Sequence, residues 1–256
     1  MKDLQTAERV SHTDLSDNYV YQRSLLAYLK AAELVTGQVL EIGTGSGYGV
    51  EVLAPKAESL LTIDKFSNNI DFSVYNHVTF RQMNVPPLRD ITDNQFDFVV
   101  SFQVIEHIED DHAFVSEIHR VLKPGGKFIV TTPNIKMSIT RNPWHVREYT
   151  IGELDNLLRE KFSSVEKFGV FGNEKIMKYY ENNKKSVEKI TRWDIFNLQY
   201  RLPRRILQIP YDILNRRNRK KLVAQDNSLV ASITKEDYSI APAGEGCFDL
   251  FYVAQK

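Results

Sequence analysis

Apolar side chains fall at two different spacings along this chain. From about Tyr19 to Leu34 they recur at helical spacing, with Leu25, Leu26, Leu29 and Ala32 in register, and Gly37 ends the segment. Short apolar runs then alternate with amphipathic stretches. Gln38–Ile42, Ser59–Ile63, Val78–Met83, Phe96–Ser101 and Lys127–Thr132 read as buried strands. Gly47–Leu53 opens a helix that Pro55 stops, and Asp110–Leu122 is a helix with Phe114, Val115, Ile118, Val121 and Leu122 on its apolar face. KPGG at Lys123–Gly126 reads as a tight turn into the fifth strand. A helix over Ile151–Glu160 turns Leu154, Leu157 and Leu158 inward. Val165–Phe171 is the sixth strand expected and Phe248–Ala254 the last.

Strands alternating with helices imply an α/β fold, a doubly wound and mostly parallel sheet covered on both faces. Residues 173–245 have a different texture. Glu174–Lys189 is lysine-rich, and Arg201–Lys221 holds eight basic residues and one acid, Asp212. The expected organisation is an N-terminal helical lid over 1–36, a core domain over 37–172 and 246–256, and a basic, mainly helical insertion over 173–245. Pro203 and Pro210 argue against one long helix in that insertion.

Composition narrows the function. The 256 residues suit one large α/β domain, and 33 basic side chains balance 33 acidic ones. A zero balance argues against a nucleic-acid binder that works by charge alone. Cys247 is the single cysteine, which excludes an internal disulfide and Cys/His zinc spacing around it. The polar N-terminus resembles no signal peptide, and no apolar run is long enough to span a bilayer. The protein is expected in the cytoplasm.

The strongest chemical signal is VLEIGTGSGYG, placed directly after a strand and opening a helix. Gly43, Gly45 and Gly47 allow positive φ and close approach of a ligand to the main chain. The following helix points free N–H groups at that ligand. The spacing is G-x-G-x-G rather than the dinucleotide G-x-G-x-x-G, and Glu41 precedes it. A carboxylate there repels pyrophosphate and attracts an ammonium group, which tilts the reading from NAD to S-adenosylmethionine. Asp64 ends the second strand, 21 residues after Gly43, where an acid can accept from both ribose hydroxyls. An Asp capping the next turn is the alternative. Phe66 can lie against adenine or belong to the core.

The series VLEIGTGSGYG, LTIDKF, FDFVVSFQVIEHIED and VLKPGGKFIVTTPN resembles the ordered motifs of class I S-adenosylmethionine-dependent methyltransferases, in the small-molecule or glycan subgroup. The resemblance covers about residues 20–172 and the final strand. It implies a seven-stranded sheet of order 3-2-1-4-5-7-6 with the seventh strand antiparallel. It also implies that Glu41, Gly43, Thr44, Gly45 and Gly47 hold the methionine part of the cofactor. Asp64, followed by Lys65, holds the ribose, and Asn84 with the Val85 main chain meets the adenine edge. Asn84 stands where the family often has Asp. Ser101, Phe102 and Gln103, after the fourth strand, are expected to line the cofactor. S-adenosylhomocysteine is the expected product.

Glu106 and His107 follow. His107 can be a base near the sulfonium, a metal ligand with Glu106, or a group that fixes the loop. Ubiquinone-pathway and small-RNA 3′-terminal methyltransferases, which the chain also resembles, use E-x-x-E-H to hold a metal. Gln103 replaces the first Glu here, and an amide is a weaker ligand, so no metal is expected. His145, after the fifth strand, is the other candidate base, since imidazole titrates near neutrality. Trp144 can wall an acceptor pocket, with Arg147 and Tyr149 as secondary acceptor-side residues. Tyr19 and Arg23 of the lid can touch the ligand.

The expected reaction is O-methylation of a small molecule, sugar or lipid-linked glycan. RNA-end methylation and a non-catalytic S-adenosylmethionine-binding scaffold are the rivals. The apolar and basic residues of 201–221 either pack on the main domain or make peripheral contact with an anionic membrane. Nucleic acid is not expected as a partner.

Overall fold

In the computed structural model, residues 10–67, 70–194 and 196–256 are described. The first nine residues of the expected lid lie outside them. Eight strands form one sheet: β1 Gln38–Ile42, β2 Ser59–Asp64, β3 Val78–Gln82, β4 Phe96–Phe102, β5 Leu122–Pro133, β6 Ser164–Gly172, β7 Tyr238–Pro242 and β8 Asp249–Gln255. Their order is β3-β2-β1-β4-β5-β8-β6-β7. The first five run parallel. β8 enters antiparallel between β5 and β6, and β7 adds an antiparallel edge to β6. The expected order holds, with one strand more. That strand comes from the insertion, whose Ser239 and Ile240 pair with Phe171 and Val170.

Period-two alternation divides the core into two layers. Val39, Ile129, Phe251 and Val253 face one side, with α1 Asn18–Ala32 and α2 Tyr48–Leu53. Leu40, Phe128, Val130, Leu250 and Tyr252 face the other, with α3 Asp111–Val121 and α4 Ile151–Arg159. Both outer helices are capped by their own side chains. Asp110 accepts the Ala113 N–H, and Thr150 and Glu153 form a reciprocal capping box. KPGG is not a separate turn. It belongs to β5, where the ladder with β4 shifts register between Phe96 and Phe98 and Gly125 takes φ +79°. A step of five residues from Leu122 to Lys127 opposes a step of two from Phe96 to Phe98, so the bend is taken up inside the strand.

The insertion supplies α5 Glu174–Thr191, α6 Leu198–Arg201, α7 Arg204–Gln225 and α8 Asn227–Ala231. Contrary to the proline argument, α7 runs unbroken through Pro210. Pro210 removes one backbone donor on an exposed stretch, with Ile206 59% and Ile209 67% exposed. Among the described residues no helix is long and apolar enough to cross a membrane.

Candidate functional site

The carboxyl ends of β1, β2 and β4 meet at a cavity of about 440 Å³, large enough for a cofactor. The glycine loop forms one wall. Gly43, Gly45 and Gly47 all have positive φ, at +102°, +54° and +89°. The Gly45 N–H donates to Asp64 Oδ2 at 2.9 Å, and the Phe66 N–H donates to Asp64 Oδ1 at 2.9 Å. Asp64 thus ties the loop to the end of β2, and each oxygen keeps a second lone pair for a hydroxyl. Lys65 Nζ lies 5.0 Å from the Phe66 ring centroid. Phe66 is not core: it is 54% exposed on the cavity wall.

Of the residues expected around the cofactor, Gly43, Thr44, Gly45, Asp64, Lys65, Asn84, Val85, Phe102 and Gln103 line this cavity. Glu41, Gly47 and Ser101 do not. Gly47 instead caps the start of α2. Ser101 is fully buried, paired in β4 between Ile42 and Val130. Glu41 turns behind the loop, where it accepts the Thr62 hydroxyl at 2.5 Å and faces Tyr28. Burial pushes its carboxyl up to about 7, against the opposing hydrogen bonds from Thr62 and Tyr28. Gln103 holds φ +56°, a conformation rare for a side chain of its size, and its Nε2 donates to Thr131 Oγ1 at 3.2 Å.

A second cavity, of about 570 Å³, lies beside the first, under the insertion. Its walls are the segment after β5, the start of α1, and α5, α6 and α7. Arg23, Asn142, His145 and Tyr211 line both cavities and so stand at their junction. Arg23 Nε pairs with Asp249 Oδ2 at 2.8 Å, both nearly buried, and its guanidinium lies against Tyr19 and Phe248. Burial raises the Asp249 carboxyl, while Arg23 and Gln103 hold it down.

His145 Nδ1 meets Glu148 Oε1 at 2.7 Å, with side chains 10% and 11% exposed. Its Nε2 meets the Asn142 amide nitrogen at 2.8 Å. The consistent tautomer has Nδ1–H donating to the carboxylate and the Nε2 lone pair facing the junction. His107 packs edge to face on His145, with centroids 5.0 Å apart, and its Nδ1 meets the Trp144 carbonyl at 3.0 Å. Ligand atoms of Glu106, His107 and His145 lie within 4.8 Å of one another. One Glu106 oxygen accepts the Thr132 hydroxyl at 3.0 Å. The donor set suits an open divalent site with imidazole and carboxylate ligands. Gln103, which stands three residues before Glu106, has its amide nitrogen on Thr131.

The three acceptor-side residues fall in different places. Trp144 lines the first cavity rather than the second, and its Nε1 donates to Asp212 of α7 at 2.9 Å. Tyr149 is buried and donates to Asp111, which also pairs with Arg147. Both residues serve the α3 junction, away from the cavities. Glu148 and Asp249 were not singled out in the sequence. An isolated acid carries no signal until folding shows its partner.

A methyltransferase-domain family model matches residues 40–130, which spans the glycine loop, Asp64 and the Glu106–His107 turn. A "probable S-adenosylmethionine-dependent methyltransferase" of Mycolicibacterium smegmatis is 32% identical, aligned over 95% of this chain and 90% of its own length. One from Mycobacterium tuberculosis is 37% identical over 60% of each chain. An S-adenosylmethionine-dependent methyltransferase structure from Thermotoga maritima shares the fold at 15% identity, with a TM-score of 0.56 over 93% of this chain and 91% of that one. A glycine loop tied to an acid at the end of β2, a sheet closed by an antiparallel strand and a relative matched nearly end to end lead to one assignment: the chain belongs to the class I S-adenosylmethionine-dependent methyltransferases.

Proposed function

We propose that this methyltransferase acts on oxygen, using a hydroxyl of a small molecule, sugar or lipid-linked glycan held in the larger cavity. The observation that carries the reading is His145, which stands at the junction of the two cavities with Glu148 on its Nδ1. The acceptor oxygen attacks the methyl carbon, and the sulfur leaves with the C–S electron pair as neutral S-adenosylhomocysteine. The hydroxyl proton passes to His145 Nε2, where the acceptor takes the place of the Asn142 amide. Glu148 orients the ring and stabilises the imidazolium. The rest of the acceleration comes from aligning oxygen, carbon and sulfur away from water. Gly43, Thr44, Gly45, Asp64, Asn84, Val85, Phe102 and Gln103 hold the cofactor in this reading, and Glu41 supports the loop from behind.

His145→Ala should lower kcat by about 10²–10⁴-fold while leaving S-adenosylmethionine affinity unchanged. Glu148→Gln should fall between it and the parent. Full activity in His145→Ala removes the base. Tritiated methyl transfer into a cell extract, separated into lipid, RNA, protein and small-molecule pools, identifies the acceptor. Label confined to RNA sinks the small-molecule or glycan reading.

A second reading has its own observation, the approach of Glu106, His107 and His145 within 4.8 Å. There Glu106, His107 and His145 would hold a divalent cation, which would supply Lewis-acid activation of the acceptor hydroxyl in place of a base. The two readings separate with a chelator: activity untouched by EDTA favours the base, and loss restored by added Mn²⁺ or Zn²⁺ favours the cation.

A further inference from the structure

The α7 helix carries an exposed apolar stripe on its outer side. Its inward positions include polar ones, with Asp212 and Asn218 buried and Arg216 and Arg219 reaching Asp17 at 2.8 and 2.7 Å, and Leu222 near its end is buried in the core. Its outward positions hold Ile206, Ile209 and Ile213, which are 59%, 67% and 44% exposed. Their spacing places them on one stripe. The stripe continues into exposed Arg217, Lys220 and Lys221. Trp193, Phe196 and Tyr200, between α5 and α7, are 83%, 69% and 62% exposed. Burial of a helix face normally runs the other way, so this surface is built to meet something apolar.

Two further observations say what it meets. The surface is positive: Arg201, Arg205, Arg217, Lys220 and Lys221 are exposed, while Asp212, the single acid of 201–221, is turned inward to Trp144. The exposed apolar residues also border the larger cavity, whose lining includes Ile190, Trp193, Leu198 and Leu214. We propose that α6 and the outer face of α7 seat on an anionic lipid bilayer, with the larger cavity opening toward it. Apolar side chains enter the acyl boundary, Trp193 and Tyr200 sit at headgroup level, and the basic residues meet anionic lipids. A membrane-borne amphiphile then reaches His145 without leaving the lipid phase. That last step rests on reading the larger cavity as the acceptor site, whereas the docking itself does not.

Sedimentation of the full chain with phosphatidylcholine vesicles, with and without phosphatidylglycerol, tests the docking. Co-sedimentation is expected with the anionic vesicles at low salt and should weaken at high salt. The double substitution Ile209→Asp and Ile213→Asp should abolish it while thermal melting and S-adenosylmethionine calorimetry stay unchanged. Arg217→Gln and Lys220→Gln should each weaken it about fivefold, independently of any apolar change. Quenching by brominated lipid should disappear in Trp193→Phe. Failure to bind anionic vesicles overturns the proposal, as does equal binding by the double variant. So does a dimer in ultracentrifugation that the double variant dissociates, with no vesicle binding, since a second copy then covers the face. If vesicle binding holds but all transferred methyl label appears in water-soluble small molecules, the membrane-borne acceptor is overturned and the docking stands.

Discussion

Gly43 tolerates no side chain without strain. Its φ of +102° suits no L side chain, and a Cβ there would lie 2.5 Å from Val104 Cγ2. Gly43→Ala should cost about 1–3 kcal/mol of stability and weaken S-adenosylmethionine binding at least about tenfold, read by thermal denaturation and calorimetry. Glu41 sets a pH dependence. Its folded carboxyl sits near 7 against an ordinary 4.5, so the native state is favoured by the protonated form. Its contribution is full below about 4.5 and is lost as pH rises through about 7. Relative to Glu41→Gln, the parent should lose roughly 3 kcal/mol of stability between pH 5 and 8, measured by denaturant titration across that range. Equal pH dependence in the two proteins would show that Glu41 does not titrate there. The loop and Asp64 were legible because backbone conformation demands glycine at fixed spacing. The inward turn of Glu41 was not, since spacing cannot tell which side of a strand end meets α2. His145 was legible as a residue type, but Glu148 became visible only when the chain after β5 folded back on itself.

At the scale of elements, the clasp between Asp17 and α7 organises the insertion. Asp17 is fully buried, and Arg216 and Arg219 are mostly covered, so neither side can rely on water for compensation. Asp17→Ala leaves two arginines facing a buried site and should destabilise the protein by about 3–5 kcal/mol. Limited trypsin digestion should then cut first within 201–221, and a parent-like digestion pattern would show that the clasp does not hold the insertion. The sequence showed the arginines as a basic run, and their pairing with an acid some two hundred positions away had no local signature. The edge strand β7 was missed for a related reason. Tyr238–Pro242 is short and only partly buried, without the long apolar run that marked the central strands. The central strands and α3 and α4 were legible because a fully covered sheet needs near-continuous apolar runs and its covering helices need one apolar face.

At the scale of the molecule, two cavities adjoin, with Arg23, Asn142, His145 and Tyr211 lining both. Binding at the first should stabilise the whole fold by mass action. S-adenosylhomocysteine at a hundred times its Kd should add about 2.7 kcal/mol, seen as a rise in melting temperature. No rise at saturating ligand would show that the cofactor does not engage the folded chain. β8 carries a different consequence. It follows every other strand in the chain, yet it lies between β5 and β6, which are bonded to it and not to each other. On the ribosome, β5 and β6 therefore emerge with no neighbour across the gap. Two open sheet edges persist until Asp249–Gln255 has cleared the exit tunnel, and during that interval the nascent chain is most exposed to pairing with the wrong strand.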